Sequence, residues 1–425
     1  MGLSELPRTI DVAVVGAGHS GLIASRLLRA AGREHALLER RPRLGGGWQD
    51  RWDEFRLVSP NWTLDLPGLE PTSDPDAFIN RDAIVERVTR YAEVVDAPVI
   101  LETEVKRLSA TNGASKASPS DRRFRLDTTQ GPLDARSVVV ASGPFPVPHV
   151  PPISASLPSR ITQVHSHHYR RESDLPPGTV LIVGSGQTGV QLAEELTSAG
   201  RRVILAVGRC GRVPRRYRDR DIFWWLRRMR TMGDAVDAGL PTAAQLPDPR
   251  LRLACNPHLS GHGGGHTVDL RALGRDGVTL VGRFEGAEGE RARFAPDLEA
   301  VLSFADSFFP TRFRDTLERL IERTSIDVPP PSADEPVSWS PPSIDAIDLA
   351  KEGVSTVLWS SGYRLGLDRW IDLPILDELG FPRTDRGMSE VAGLGFIGMP
   401  WQVNMGSANL VGVAYDAEDV VARLD

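Results

Sequence analysis

The sequence predicts an α/β fold built around two dinucleotide-binding units. Three observations carry that prediction. One phrase, an apolar strand running into a glycine-rich loop, occurs twice: VAVVGAGHSG at 12–21 and VLIVGSGQTG at 180–189. Each copy continues into an amphipathic helix and then a second strand. Elsewhere, apolar strand-like runs alternate with helical periodicity, the pattern of parallel sheets covered by helices.

In the first copy, VAVV reads as a buried strand, followed by Gly16, Gly18 and Gly21. The helix SGLIASRLLRAAG ends at Gly32, and HALLE forms the next strand. In the second copy VLIV leads to Gly184, Gly186 and Gly189, then TGVQLAEELTSAG, ending at Gly200, and VILAV. One glycine permits the tight turn, one lets backbone approach a pyrophosphate, and one allows close helix–strand packing. The helix N-terminus offers free N–H groups and a partial positive charge to the phosphates. His19 and Ser20 in the first loop, and Gln187 and Thr188 in the second, join the glycines as cofactor-binding candidates.

The copies differ at the end of the second strand. Glu39, followed by Arg40, ends it in copy one, where a carboxylate can bind ribose hydroxyls and repel a 2′-phosphate. Copy two has Val207 in that register, then Arg209, Arg212, Arg215 and Arg216. Guanidinium groups without the acid suit a 2′-phosphate. Site one therefore fits FAD or NAD and site two fits NADP, with Arg209 as the phosphate clamp and Arg212 or Arg215 in support. Two dinucleotides imply a hydride relay, and a flavin is a ready acceptor.

Between these units, EVKRL and FRLDTT read as strands around a polar loop at 109–121, and VVVA, ILAVG and TVLWSSG read as buried strands. Residues 82–95 and 313–323 have helical spacing. Pro-rich segments at 144–158 and 328–343 mark crossings between domains.

Composition narrows the function classes. Of 425 residues 40% are hydrophobic and 25% charged, and the net charge is −6, which argues against nucleic acid or an anionic membrane as partner. The start, MGLSELPRTI, lacks the basic and apolar regions of a signal peptide, and no run approaches ~18 apolar residues. Cys210 and Cys255 form no CxxC, so neither a zinc ribbon nor a dithiol redox pair is expected, and the low count suits a reducing cytoplasm. His258, His262 and His266 recur every four residues, but intervening glycines and the lack of a carboxylate or Cys in the cluster argue against a metal site.

Six further pieces bring out a resemblance: VVGAGHSGL, ERRPRLGGGWQ, LVSPNWTLDLPG, VVVASGPFPVPHVP, HSHHYR with VLIVGSGQTG, and VLWSSGYR with GLGFIGMPWQ. Together they resemble the flavin-containing monooxygenases, the class B flavoproteins, in a bacterial branch. The resemblance implies two nested Rossmann-like domains. A split FAD domain at 1–155 and 341–425 would hold an inserted NADPH domain at 156–340. It implies that Gly46, Gly47 and Trp48 wrap FAD, and that Ser142–Gly143 and Ser361–Gly362 are backbone positions in the linking segments. Asn61 is similar to the family's active-site asparagine, with turn geometry as the alternative role. HSHHY matches the end of the family fingerprint, but Ser159 and Ile161 stand where its Phe and Gly belong. Past Gly398 the acidic residue of the disulfide-reductase lineage is missing, so 401–406, with Gln402, would take its place beside the flavin.

The implied activity is an NADPH-dependent flavoprotein monooxygenase with FAD, NADP(H) and O2 as co-substrate. NADPH reduces FAD, O2 forms a C4a-(hydro)peroxyflavin, and a small molecule is oxygenated at nitrogen or sulfur. Baeyer–Villiger oxygenation of a ketone and direct amine oxidation are the alternatives, and an NADP-sensing regulatory protein is the non-enzymatic one. A small-molecule substrate is expected and no nucleic acid or membrane, with a homodimer as an option.

Overall fold

The structure is a computed structural model that describes residues 5–111, 123–332 and 337–424. Parts of the polar loop at 109–121 and of the Pro-rich segment at 328–343 lie outside the described residues. The chain opens with β1 (Thr9–Val15), α1 (His19–Ala30), β2 (His35–Leu38), α2 (Arg81–Val94) and β3 (Val99–Ile100). An antiparallel ladder follows, β4 (Val105–Ala110), β5 (Phe124–Thr128) and β6 (Gly131–Val140). The short β7 (Val147–Pro148) leads to β8 (Thr162–His165), β9 (Thr179–Val183), α3 (Gln187–Ser198) and β10 (Val203–Ala206).

The first sheet has the parallel order β3-β2-β1-β6, extended by the strand Leu394–Phe396. The long β6 pairs with β1 along one edge and serves two partners along the other. Its first half pairs with β5 and its second half with Leu394–Phe396. Both faces of this sheet are covered, which is why its strands read as continuous apolar runs. Val12, Val14 and Val139 face the core shared with α1, whereas Ala13, Val138 and Val140 face the opposite core.

The second sheet is all parallel. Its order is Thr279–Val281, β10, β9, Val354–Trp359, β8. The strand Val354–Trp359 lies between β9 and β8, beyond the boundary at 340 that the sequence suggests. TVLWSS follows the Pro-rich segment in sequence, but its hydrogen-bonding partners lie in the second unit.

The chain passes between the sheets along two segments that meet. β7 pairs antiparallel with Tyr363–Arg364, and the His149 N–H donates to the Gly362 carbonyl at 3.0 Å. Ser361 Oγ donates to the His149 carbonyl at 2.5 Å. His165 joins the same crossing, donating from Nε2 to the Gly362 carbonyl at 3.1 Å and accepting from the His167 N–H on Nδ1. Burial lowers its pKa to about 4, so the ring is neutral, as those two roles require.

A third core lies in the segment between β10 and Val354. It brings Trp225, Met229, Phe309 and Phe313 together and packs against Trp62, Met405 and Val411 of the first unit. A buried ion pair, Arg230 to Asp416 at 2.9 Å, ties this segment to the C-terminal helix Val413–Ala422.

Candidate functional site

The two glycine loops are built on one plan, and the contacts match pair by pair. Gly16 has φ +105°, and a Cβ there would stand 2.6 Å from the Ala141 carbonyl oxygen. Gly184 has φ +104°, and a Cβ there would stand 2.5 Å from the Ser360 carbonyl oxygen. A Cβ on Gly21 or Gly189 would collide with the carbonyl of Gly16 or Gly184. Each loop thus admits only glycine at its turn and at its helix–strand contact. Gly18 and Gly186 begin α1 and α3 without a side-chain cap, leaving the first-turn N–H groups to a ligand.

At the first loop Glu39 is 3% exposed, and its carboxylate accepts from the Ala17 N–H at 3.1 Å and the Arg41 N–H at 3.0 Å. Gly46 packs directly on Gly18, backbone to backbone, with Gly47 open to solvent beside it. Trp48 follows and packs near Phe55. Gly398, at φ +77°, sits on Ser20, where a Cβ would come within 2.5 Å of Ser20 Oγ. Arg40 is exposed.

Three polar atoms at this loop are buried without a partner: both ring nitrogens of His19 and the hydroxyl of Ser142. Burial lowers the His19 pKa to about 4, so its ring is neutral and offers one donor and one acceptor. Buried polar atoms are nearly always satisfied. Orphans lining a glycine cradle fit a group with both donors and acceptors, as a flavin dinucleotide has. Gly143, at φ +83° with open space around it, follows Ser142.

The second loop is tied by a single hydroxyl in place of the acid. Ser185, in the register of Ala17, exchanges hydrogen bonds with Gly208 at 3.0 and 3.1 Å. Gln187, the first residue of α3, is held by both backbone groups of Leu259, with Thr188 next on the helix. A cavity of about 220 Å³ opens at the C-terminal ends of β9 and β10, lined by Gly184, Val207, Gly208, Arg283, Phe284 and Trp359 among others. Ligands of open α/β sheets bind at that edge.

The arginines divide. Arg209 is exposed, its guanidinium 4.1 Å above the Phe304 ring, and pairs with no carboxylate among the described residues. Arg212 is committed to Asp269 and Asp306, both at 3.2 Å. Arg215 is 5% exposed, forked onto Asp221 at 2.9 and 3.1 Å and bonded to the Val58 carbonyl. Arg212 and Arg215, expected in support of Arg209, thus already hold carboxylate partners, of which Asp221 is buried. Arg283 stands on the cavity instead, held only loosely at 3.9 and 4.0 Å from Glu285 and Asp297. Sequence reasoning missed it, although VTLVG just before it has strand character and would have placed it at a strand's C-terminal end.

Asn61 serves its own loop. Its Nδ2 donates to the Asp74 carbonyl and its Oδ1 accepts from the Ile79 N–H, both at 2.8 Å, while its backbone N–H bonds Ala77. The amide oxygen and one amide N–H are spent on residues 74–79, the turn-geometry role, and the second amide N–H is not used in these bonds. Gln402 packs against the turn at Gly387, with its Nε2 buried and unpartnered. His258 bonds the Ser185 carbonyl at 2.5 Å and His266 bonds Glu194 at 2.7 Å. The expectation that no dithiol pair exists is also corrected. The fold brings Cys210 and Cys255 into a disulfide, S–S 2.08 Å, because pairing depends on the loops' meeting and not on a short spacing.

A family model described as pyridine nucleotide-disulphide oxidoreductase matches residues 13–223. A curated relative from Geobacillus kaustophilus, an uncharacterized oxidoreductase CzcO-like, is 29% identical over 97% of each chain. The senecionine N-oxygenase of Tyria jacobaeae is 22% identical over 48% of each. Among solved structures, a double mutant of a flavin monooxygenase from Stenotrophomonas maltophilia superposes with TM-score 0.62 at 19% identity over 98% of both chains. That likeness gives the fold, two Rossmann-like sheets in one chain. Among the described residues no helix is long and apolar enough to cross a membrane. Taken with the paired loops, these matches make the chain similar to oxidoreductases of two-Rossmann architecture, the class B flavin monooxygenases among them.

Proposed function

We propose that the chain is an NADPH-dependent flavoprotein monooxygenase that oxygenates a small organic molecule at nitrogen or sulfur. The observation that carries this reading is the asymmetry between two otherwise matched loops. Loop one keeps a buried acid, Glu39, where a ribose would lie. Loop two has lost it and carries Arg209, free of carboxylates among the described residues, directly after Gly208, which lines the cavity that bears Arg283.

FAD would lie along the first loop. Gly16, Gly18 and Gly21 with the start of α1 would hold its pyrophosphate, Glu39 its ribose, and Gly46, Gly47 and Trp48 its far side. His19 and Ser142 would supply the hydrogen bonds their buried atoms lack. When bound, the flavin supplies hydride acceptance and oxygen activation. NADPH would lie along Gly184, Gly186 and Gly189 at the start of α3, with Arg209 and Arg283 on the 2′-phosphate. The crossing at Ser142–Gly143 and Ser361–Gly362 would bring the two cofactors together, with the buried apolar walls excluding water. A location in the cytoplasm belongs to the same reading.

The test has two stages. The purified protein is first examined for flavin absorbance and reduced anaerobically with NADPH or NADH. It is then exposed to ¹⁸O2 with a panel of amines and sulfides, and products are read by mass. Faster flavin bleaching by NADPH and one ¹⁸O in the product support the proposal. Anaerobic bleaching by an amine without NADPH would replace it with the oxidase reading.

A further inference from the structure

The disulfide sits on the second loop. A Cβ placed on Gly186 would be 3.1 Å from the Cβ of Cys255. Cys210, at the other end of the bond, directly follows Arg209. Beyond Cys255 the chain clasps the first turn of α3. The Leu259 N–H donates to Gln187 Oε1 at 3.1 Å, and the Leu259 carbonyl accepts from Gln187 Nε2. The His258 N–H donates to the Gly211 carbonyl at 2.8 Å, and its ring to the Ser185 carbonyl. The bond therefore ties the loop that carries Arg209 to the segment that walls the glycine loop.

Loop one has the same wall without a disulfide. A Cβ on Gly18 would meet the Gly46 Cα at 3.6 Å. There the wall is part of a continuous 3₁₀ turn, Gly46–Asp50. In loop two the wall belongs to a segment, 249–257, that is exposed along most of its length. A wall against the second glycine is thus how both loops are built, not an obstruction, and in loop two a covalent bond helps hold it.

We propose that Cys210–Cys255 is a reversible thiol–disulfide site that sets the affinity of the second loop for NADPH, the oxidised form being the competent one. This rests on reading that loop as the NADPH site. The exchanging partner is a low-molecular-weight thiol. Cys210 is 3% exposed while Cys255 is half-buried, so the incoming thiolate attacks Cys255 Sγ. The Cys210–Cys255 S–S bond breaks, and Cys210 leaves as a thiolate that takes a proton from solvent. The Asn256 carbonyl oxygen, 3.3 Å from Cys210 Sγ, is placed to accept the new S–H. A second thiol displaces Cys255 from the mixed disulfide. In total, two small thiols become one disulfide, and two electrons and two protons reduce the bridge. Arg209 and the Gly186 wall then move independently, and binding pays the cost of ordering them.

The experiment measures NADP+ affinity by calorimetry on the full-length holoprotein, oxidised or treated with dithiothreitol, with free thiols counted in each sample. The expected result is zero thiols and tight binding before treatment, and two thiols and a Kd raised about tenfold after it. Cys255→Ser is expected to match the reduced wild type and to ignore dithiothreitol. Its flavin content and melting temperature report whether it folds. Equal Kd values at zero and two thiols overturn the proposal, as does a thiol count that no dithiol changes. If NADP+ binds in neither state, the assignment of the second loop fails instead. Should Cys255→Ser not fold, the wild-type comparison alone decides.

Discussion

The backbone N–H of Ala17 donates to the carboxylate of Glu39 at 3.1 Å, tying the first glycine loop to the end of the neighbouring strand. The carboxylate's other oxygen takes the Arg41 N–H. Glu39→Ala removes the acceptor for both amides and for a ribose. It is expected to weaken flavin binding at least tenfold, about 1.4 kcal/mol, and to cost about 1–3 kcal/mol of stability. Flavin-to-protein ratio after dialysis and urea denaturation check both effects.

Arg209→Ala is expected to raise the Kd for NADPH about tenfold or more while leaving NADH nearly unchanged, since only the 2′-phosphate is lost as a partner. Arg212→Ala should do the reverse. It leaves Asp269 and Asp306 without their shared cation, lowers stability by about 1–3 kcal/mol, and keeps the NADPH-to-NADH ratio. Equal losses for both nucleotides in Arg209→Ala would move the clamp elsewhere.

Gly184→Ala places a methyl 2.5 Å from the Ser360 carbonyl at φ +104°. A loss of at least about 2 kcal/mol is expected, together with loss of NADP+ binding. Gly208→Ala is the control. Nothing lies within 4 Å of its added Cβ, so stability should change by no more than about 0.5 kcal/mol.

Arg230→Ala strands Asp416, which is fully buried. Breaking a buried pair from one side costs about 3–5 kcal/mol. The expected outcome is a lowered melting temperature and proteolytic release of the segment around Met229–Gly233. Arg230→Ala with Asp416→Asn should recover part of the loss.

Glu195 accepts from the Tyr169 hydroxyl at 2.8 Å, and burial raises its pKa from 4.5 to about 7. The folded state therefore holds this proton more tightly than the unfolded chain. Its contribution is greatest below pH 4.5 and is lost as pH rises toward 7, then stays flat. Glu195→Gln keeps an acceptor for Tyr169 and cannot ionise. Its melting temperature should exceed the wild type's by about 2 °C or more at pH 8 and match it near pH 4.5. A constant difference across that range would show that ionisation of Glu195 is not the cause.

The repeat was fully legible because its determinants are local. Strand, glycine turn and helix follow one another in sequence, and the contacts at Gly16 and Gly184 reproduce the pattern within 0.1 Å. What the sequence did not yield depends on partners far along the chain. Val354–Trp359 looks like any buried strand until β9 and β8 are seen beside it. Arg212 and Arg215 look like free cations until Asp269, Asp306 and Asp221 take them. Asn61 and the cysteine pair follow the same logic: residue type was visible, and the competing partner was not.

The single backbone hydrogen bond between His149 and Gly362 means that the inserted unit enters and leaves by one doorway. Ends that touch spare the host any stretching when the guest is exchanged. Residues 149 and 362 are accordingly the natural splice points for a replacement unit, provided that it also supplies a cation for Asp416.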